Sequence, residues 1–210
     1  EACRTLDFPI VSGNVPLYNE TNGQAILPTP AIGGVGVIPD LDRMATLAFK
    51  EAGEAILLMG GHGHHLGQSI YLREILDREE GSPPHGDLVR YLIRRGQVTA
   101  VHDISDAGLI QAVIEMALAG NLGASLTAMD FVALFAEDQA RYLMTCDAKE
   151  AAKIITQAHV KGVDVIRIGT VTQAPEVKVE DTVSLSLAEL RTAHESWFPA
   201  YMANELASAN

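Results

Sequence analysis

The sequence is poor in cysteine, aromatic residues and cationic side chains, and each shortage closes a class of explanation. Only Cys3 and Cys146 occur in 210 residues, too few for a disulfide framework, so a reduced, cytoplasmic setting is expected. Aromatic residues make up 5% of the chain, which leaves no stacking platform for single-stranded nucleic acid. Lys and Arg number 15 against 27 Asp and Glu. The resulting field repels phosphate backbones and anionic lipid headgroups, so no nucleic-acid or membrane partner is expected. The longest apolar runs, Ala55 to Met59 and Phe131 to Ala136, fall far short of the ~20 residues needed to span a bilayer. No basic segment followed by an apolar stretch and a cleavage site opens the chain, so no secretory signal is expected.

What remains is a composition with a sizeable core, 48% hydrophobic and 20% charged, enough for one large domain or for one domain plus a fragment of another. The opening stretch, Glu1 to Leu6, reads like the tail of a helix, so a piece of a longer protein is expected. From Pro9 to Pro39 the chain is rich in Gly, Pro, Asn and Thr, with β-branched runs at Ile10 to Val11 and Ile32 to Ile38 that predict short strands between turns. Pro39-Asp40-Leu41-Asp42 then punctuates the sequence. A domain boundary falls near residues 39 to 45, giving a first region over 1–45 and a second over 46–210.

In the second region, Glu54 to Met59 predicts a buried strand, and Leu66 to Leu76 and His85 to Arg95 predict helices, the latter closed by Gly96. Val98 to Val101 predicts a core strand. Ser105 is placed to cap a helix over Asp106 to Ala119, which presents Leu109, Val113, Met116 and Ala117 on one face and is stopped by Gly120. Tyr142 to Thr145, Ala148 to Ala158 and Val163 to Thr170 predict a β-α-β unit. Val177 to Leu185 predicts a hairpin turning at Glu180-Asp181, followed by a helix from Leu187 to Met202. The elements interleave without the repeat of a doubly wound sheet, so the fold class is α+β, helices packed on a mixed β-sheet.

Four segments carry residues suited to chemistry. In Val11-Ser-Gly-Asn-Val-Pro-Leu-Tyr-Asn-Glu-Thr21, Gly13 allows a close backbone approach and the Asn14 amide oxygen suits a Mg²⁺ shell completed by phosphates. On the residues alone, a strand end running into an Asn-rich turn is the plainer account. His62, His64 and His65, with His85 or His102, offer imidazole ligands of the kind Zn²⁺ or Ni²⁺ takes, but their spacing is irregular for a structural site and a glycine-rich connection is the plainer reading. His102-Asp103-Ile104-Ser105-Asp106 enters a helix N-terminus and reads as a cap. Glu137-Asp138-Gln139 is the fourth segment. Trp197, Phe198 and Tyr201 read as aromatics docked in the core or on a partner domain.

The stretch VSGNVPLYNETNGQAILPTPAIGGVGVIPD resembles a signature of the large subunit of phosphoribosylformylglycinamidine synthase, within the aminoimidazole ribonucleotide synthetase-like superfamily. The likeness continues through EAILLMGGHGHHLGQSIYLRE, HDISDAGL, EMALAGNLG, LFAEDQARYL and IGTV to AHESWFPAYM, which is similar to the end of that family. The resemblance implies the last third of a protein made of two pseudo-equivalent halves. Residues 1–45 would then end the second N-terminal-type, ATP-binding domain, and 46–210 would be a complete second C-terminal-type domain.

It further implies an ATP-dependent ligase of purine biosynthesis. ATP phosphorylates the formamide oxygen of phosphoribosylformylglycinamide, and ammonia from a glutaminase displaces phosphate to give the amidine. By that resemblance Gly13 contacts ATP and Asn14 binds Mg²⁺. Pro16 stands where the family has a substrate-contacting serine, and offers neither hydroxyl nor N–H. The implied partners are the missing N-terminal portion, a glutaminase subunit and a small accessory subunit. The Glu137 segment would face the auxiliary, noncatalytic site. Alternatives are another synthetase of the superfamily, or a noncatalytic scaffold that associates with itself through apolar surface exposed by the missing domains.

Overall fold

The computed structural model describes residues 2–5, 8–14, 19–26, 31–63, 66, 87–138 and 140–203. They fall into two compact units, Glu1–Val37 and Ile38–Asn210.

In the first unit a single helical turn, α1 (Ala2–Thr5), precedes a short hairpin of β1 (Glu20–Thr21) and β2 (Gln24–Ala25). Its turn is Asn22-Gly23, both with positive φ (53° and 76°), the geometry that lets a two-residue loop follow the twist of its strands. The strands predicted at Ile10 to Val11 and Ile32 to Ile38 do not form: those residues join no ladder, and Val11 and Val35 are 92% and 98% exposed. A β-branched run becomes a strand only where a neighbour supplies the ladder and a face to bury against.

The second unit is a mixed sheet of seven strands, β3 (Ala55–Met59), β4 (Ala100–Asp103), β5 (Gly123–Leu126), β6 (Tyr142–Cys146), β7 (Val165–Thr172), β8 (Glu176–Val179) and β9 (Val183–Ser186), in the order β4-β6-β3-β7-β5-β8-β9. The helices are α2 (Asp87–Arg94), α3 (Gly108–Gly120), α4 (Phe131–Phe135), α5 (Ala151–Val160) and α6 (Leu187–Met202). The expected α+β class with helices on a mixed sheet is therefore what the chain adopts. The helix predicted over Leu66 to Leu76 lies outside the described residues apart from Leu66.

Strand β3 explains the layering. All five of its residues are buried, and alternation sends Ile56 and Leu58 into one core with Leu109, Val113 and Met116 of α3. Leu57 and Met59 enter a second core with Leu88 and Leu92 of α2 and Ile154 of α5. The predicted β-α-β unit is β6-α5-β7, with β3 between its strands and antiparallel to both. The hairpin β8-β9 turns at Asp181, φ 55°. Ser186 Oγ accepts the Ala188 N–H at 3.2 Å and starts α6 at the predicted residue.

Gly96 closes α2 as expected, with φ 62°, its N–H on the Ile93 carbonyl and that of Gln97 on the Leu92 carbonyl. Gly120 does not stop its helix. It is the last helical residue, and the chain turns at Asn121, φ 51°. A side chain at Gly120 would bring Cβ to 2.5 Å from the Phe49 carbonyl oxygen, so the glycine serves a close approach of two backbones. Nor is Ser105 the cap of α3: the helix begins at Gly108, preceded by Ala107 in the left-handed region at φ 63°. The aromatics at the end of the chain are not in the core either, since Trp197, Phe198 and Tyr201 are more than half exposed.

Candidate functional site

Three of the four candidate segments meet where β3 and β4 end and β6 begins. Asp103 pairs with Tyr142, and Met59 also pairs with Tyr142, so the residues after β3, after β4 and before β6 share one end of neighbouring strands. A cavity of about 370 Å³ opens there, lined by Asp103, Ser105, Asp106, Glu137, Arg141 and Tyr142 among others.

Its fixed point is Arg141, 2% exposed. Nε donates to the Gly61 carbonyl at 3.2 Å and Nη1 to the Ala136 carbonyl at 3.0 Å, while Nη2 is buried with no hydrogen-bond partner among the described residues. Burial lowers the pKa of this guanidinium and the nearby Asp138 carboxylate works in the opposite direction. The glycines after β3 fold onto this side chain. Gly60 and Gly61 have φ of 89° and 71°. A Cβ on Gly63 would lie 2.2 Å from Ala136 Cβ and 2.8 Å from Asp138 Oδ2. The glycine-rich connection is thus required by packing. Nothing in the sequence pattern singled out Arg141; the one available sign was an arginine directly before the apolar strand YLMTC, where a buried cation needs carbonyl partners.

The His102 segment is divided between two roles. His102 is held on both nitrogens, Nε2 at 2.7 Å from Glu115 Oε2 and Nδ1 at 3.3 Å from Asp103 Oδ1, and Gln111 Nε2 donates to Glu115 Oε1 at 2.9 Å. Asp103, Ser105 and Asp106 line the cavity instead, and the cap expected from them comes from the fourth segment: Glu137 Oε1 accepts the Ala107 N–H at 2.7 Å. His62 is exposed, whereas His64, His65, His85 and Gln139 lie outside the described residues. Among the described residues no group of three or more His, Cys, Asp or Glu is placed to hold a metal ion, and no helix is long and apolar enough to cross a membrane.

The remaining segment belongs to the first unit. Val11 to Asn14 joins no helix or strand and is exposed, and among the described residues no atom beyond its chain neighbours lies within 4 Å of a Cβ built on Gly13. Packing among the described residues gives no reason for that glycine, and against them both its backbone and the Asn14 amide are open to approach. Pro16 lies outside the described residues.

The family model for the AIR synthase related protein, C-terminal domain, matches residues 51–182. The chain belongs to that family. It is 51% identical over 225 aligned residues to phosphoribosylformylglycinamidine synthase subunit PurL of Sinorhizobium fredii, covering 100% of this chain and 30% of that protein. It is 52% identical over 216 residues to the same subunit of Rhodopseudomonas palustris, covering 96% and 29%. The chain therefore spans about 30% of the length of these curated relatives. Its fold is similar to that of Thermotoga maritima PurL complexed with FGAR, with a TM-score of 0.58 and 18% identity, covering 71% of this chain and 30% of that one. It is similar also to Escherichia coli HypE, a hydrogenase maturation protein, with a TM-score of 0.58 and 22% identity over 73% and 54%.

Proposed function

We propose that this chain is the C-terminal portion of a PurL-type phosphoribosylformylglycinamidine synthase, the ATP-dependent ligase that converts phosphoribosylformylglycinamide and ammonia to the amidine. The observation that carries the reading is identity near 50% along the whole chain to subunits of that name. In this reading residues 1–45 end the second ATP-binding domain, residues 46–210 form the second C-terminal-type domain, and the enzyme works in the cytoplasm. Its partners are the rest of the polypeptide, a glutaminase subunit and a small accessory subunit; a PurLQS assembly from Thermotoga maritima shares the fold.

The chain's own contribution to the ATP·Mg²⁺ site is Gly13 and Asn14. Gly13 leaves room for the nucleotide, and the Asn14 amide oxygen is a hard donor of the kind Mg²⁺ takes alongside phosphates. Solved PurL includes a Thermotoga maritima complex with ATP, which supports the nucleotide class. Mg²⁺, when bound, neutralises charge on the phosphates. One donor does not complete an octahedral shell, so the chain alone has no turnover. Pro16 removes the family's serine contact to substrate, and a Pro16→Ser change is expected to raise activity in the assembled enzyme.

Isothermal titration with Mg·ADP, repeated on Asn14→Ala, tests the half-site; binding that is lost in the variant supports it. Mixing with the missing portion tests the whole reading. Restored ATP- and ammonia-dependent product supports it, and no product at high concentrations of both pieces counts against it. Exposed Trp197, Phe198 and Tyr201 favour one second reading, a self-associating scaffold. A monomer by light scattering removes it.

A further inference from the structure

A second cavity, of about 670 Å³, opens between the stretch from Ile38 to Ala45 and the C-terminal end of α2, and it shares no lining residue with the Arg141 cavity. Its walls are formed by Ile38, Met44, Ala45 and Ile93, with Asp40, Arg43 and Arg94 as the charged groups. Two of those charges are already engaged. Asp40 Oδ2 pairs with Arg43 Nε at 3.2 Å and its Oδ1 accepts the Asp42 N–H at 3.1 Å. Arg43 Nη1 donates to the Arg94 carbonyl at 3.1 Å. The Arg94 guanidinium, by contrast, has no hydrogen-bond or ion-pair partner among the described residues.

The walls are held in place from behind. The Met44 N–H closes the turn on the Leu41 carbonyl at 3.2 Å, and the Thr46 carbonyl accepts the Val101 N–H at 3.0 Å, tying this stretch to β4. The volume lies within the ~300–1,000 Å³ typical of small-ligand sites, which are mostly apolar with a few placed polar groups. An inorganic ion would leave the apolar walls unused. A polyphosphate would need further free cations that the lining does not offer. We propose that this cavity binds a small amphipathic anion, a carboxylate or sulfonate whose apolar body lies against Ile38, Met44 and Ile93 and whose head meets Arg94. Local charge complementarity selects this occupant: the net charge of −12 works against anions elsewhere on the chain, whereas an unneutralised cation beside an apolar wall supplies both the attraction and the burial that such an anion needs.

The test titrates the full 210-residue chain with 8-anilinonaphthalene-1-sulfonate and with the neutral N-phenyl-1-naphthylamine, followed by fluorescence and by methyl NMR. The expected result is one saturable site for the sulfonate with shifts at the Ile38, Met44 and Ile93 methyls. Arg94→Gln, at an exposed position that leaves the fold intact by thermal unfolding, weakens the sulfonate about tenfold and leaves the neutral probe within about twofold. Unchanged sulfonate affinity in Arg94→Gln overturns the proposal. So do shifts confined to α6, or shifts of the same methyls with protein concentration alone, which would assign the cavity to a second copy of the chain.

Discussion

The Glu137 carboxylate accepts the backbone N–H of Ala107 at 2.7 Å from thirty residues away in sequence. Ala107 is the residue before α3, and its N–H is the donor that a glutamate in the first turn ordinarily takes in a capping box. The contact brings negative charge to the positive end of a 13-residue helix and ties α3 to the loop after α4. Replacing Glu137 by Ala is expected to lower stability by about 1–2 kcal/mol, and by Gln to lower it less, because the amide oxygen still accepts the bond but carries no charge. Urea unfolding of the two variants checks the order.

Ala107 itself sits at φ 63° with a β-carbon, and Gly108 follows at φ 76°. For alanine the left-handed region costs about 1–2 kcal/mol, partly offset by the greater freedom that glycine gains in the unfolded chain. Ala107→Gly should therefore stabilise the protein by about 0.5–1 kcal/mol. The reverse change next door should fail: a β-carbon on Gly108 would lie 2.7 Å from the Phe135 carbonyl carbon and 2.8 Å from the Leu134 oxygen, both backbone. Thermal melts of Ala107→Gly and Gly108→Ala should move in opposite directions.

These positions also mark where reading the sequence stopped working. Strand β3, the β8-β9 hairpin and α6 were legible because their signals are local: an apolar run, two β-branched runs around Glu180-Asp181, and a helical stretch after them. The start of α3 was not, because its cap comes from Glu137, and Gly120 misled because its reason is the backbone of Phe49, far away in sequence. The site divides in the same way. Gly13 and Asn14 were readable through family likeness, whereas the Arg141 cluster is made by contacts across 80 positions to Gly61. No window of sequence carries such a contact.

Arg141 bonds the Gly61 and Ala136 carbonyls from a buried position. Removing it takes away charge-assisted donors from two acceptors and opens a void behind the glycine loop, so Arg141→Ala should cost about 3 kcal/mol or more. Arg141→Lys cannot reproduce the planar fork and should recover only part of that. Hydrogen exchange offers a local readout. The N–H of Gly60, which is bonded to the Asp164 carbonyl at 2.8 Å, should lose protection in both variants before β3 does.

Cys146, at the end of β6, is fully buried, and burial, followed by the carboxylates of Glu54 and Asp147, pushes its thiol from an ordinary value of 9.0 up to about 11. The folded state therefore holds this proton more tightly than the unfolded state. The stabilisation is fully present below pH 9, where both states are protonated, and is lost as pH rises towards 11, by about 2 kcal/mol over that window. Other alkaline groups act in the wild-type protein and in Cys146→Ala alike, so the variant, less stable at pH 7 by about 1 kcal/mol from the lost packing, should show a shallower decline between pH 9 and 11. Unfolding curves at a series of pH values measure the difference in slope, and equal slopes would refute the raised thiol. The same shift keeps Cys146 protonated at pH 8 and inert to disulfide reagents. Only the half-buried Cys3 should react in the folded chain, and both cysteines should react after denaturation.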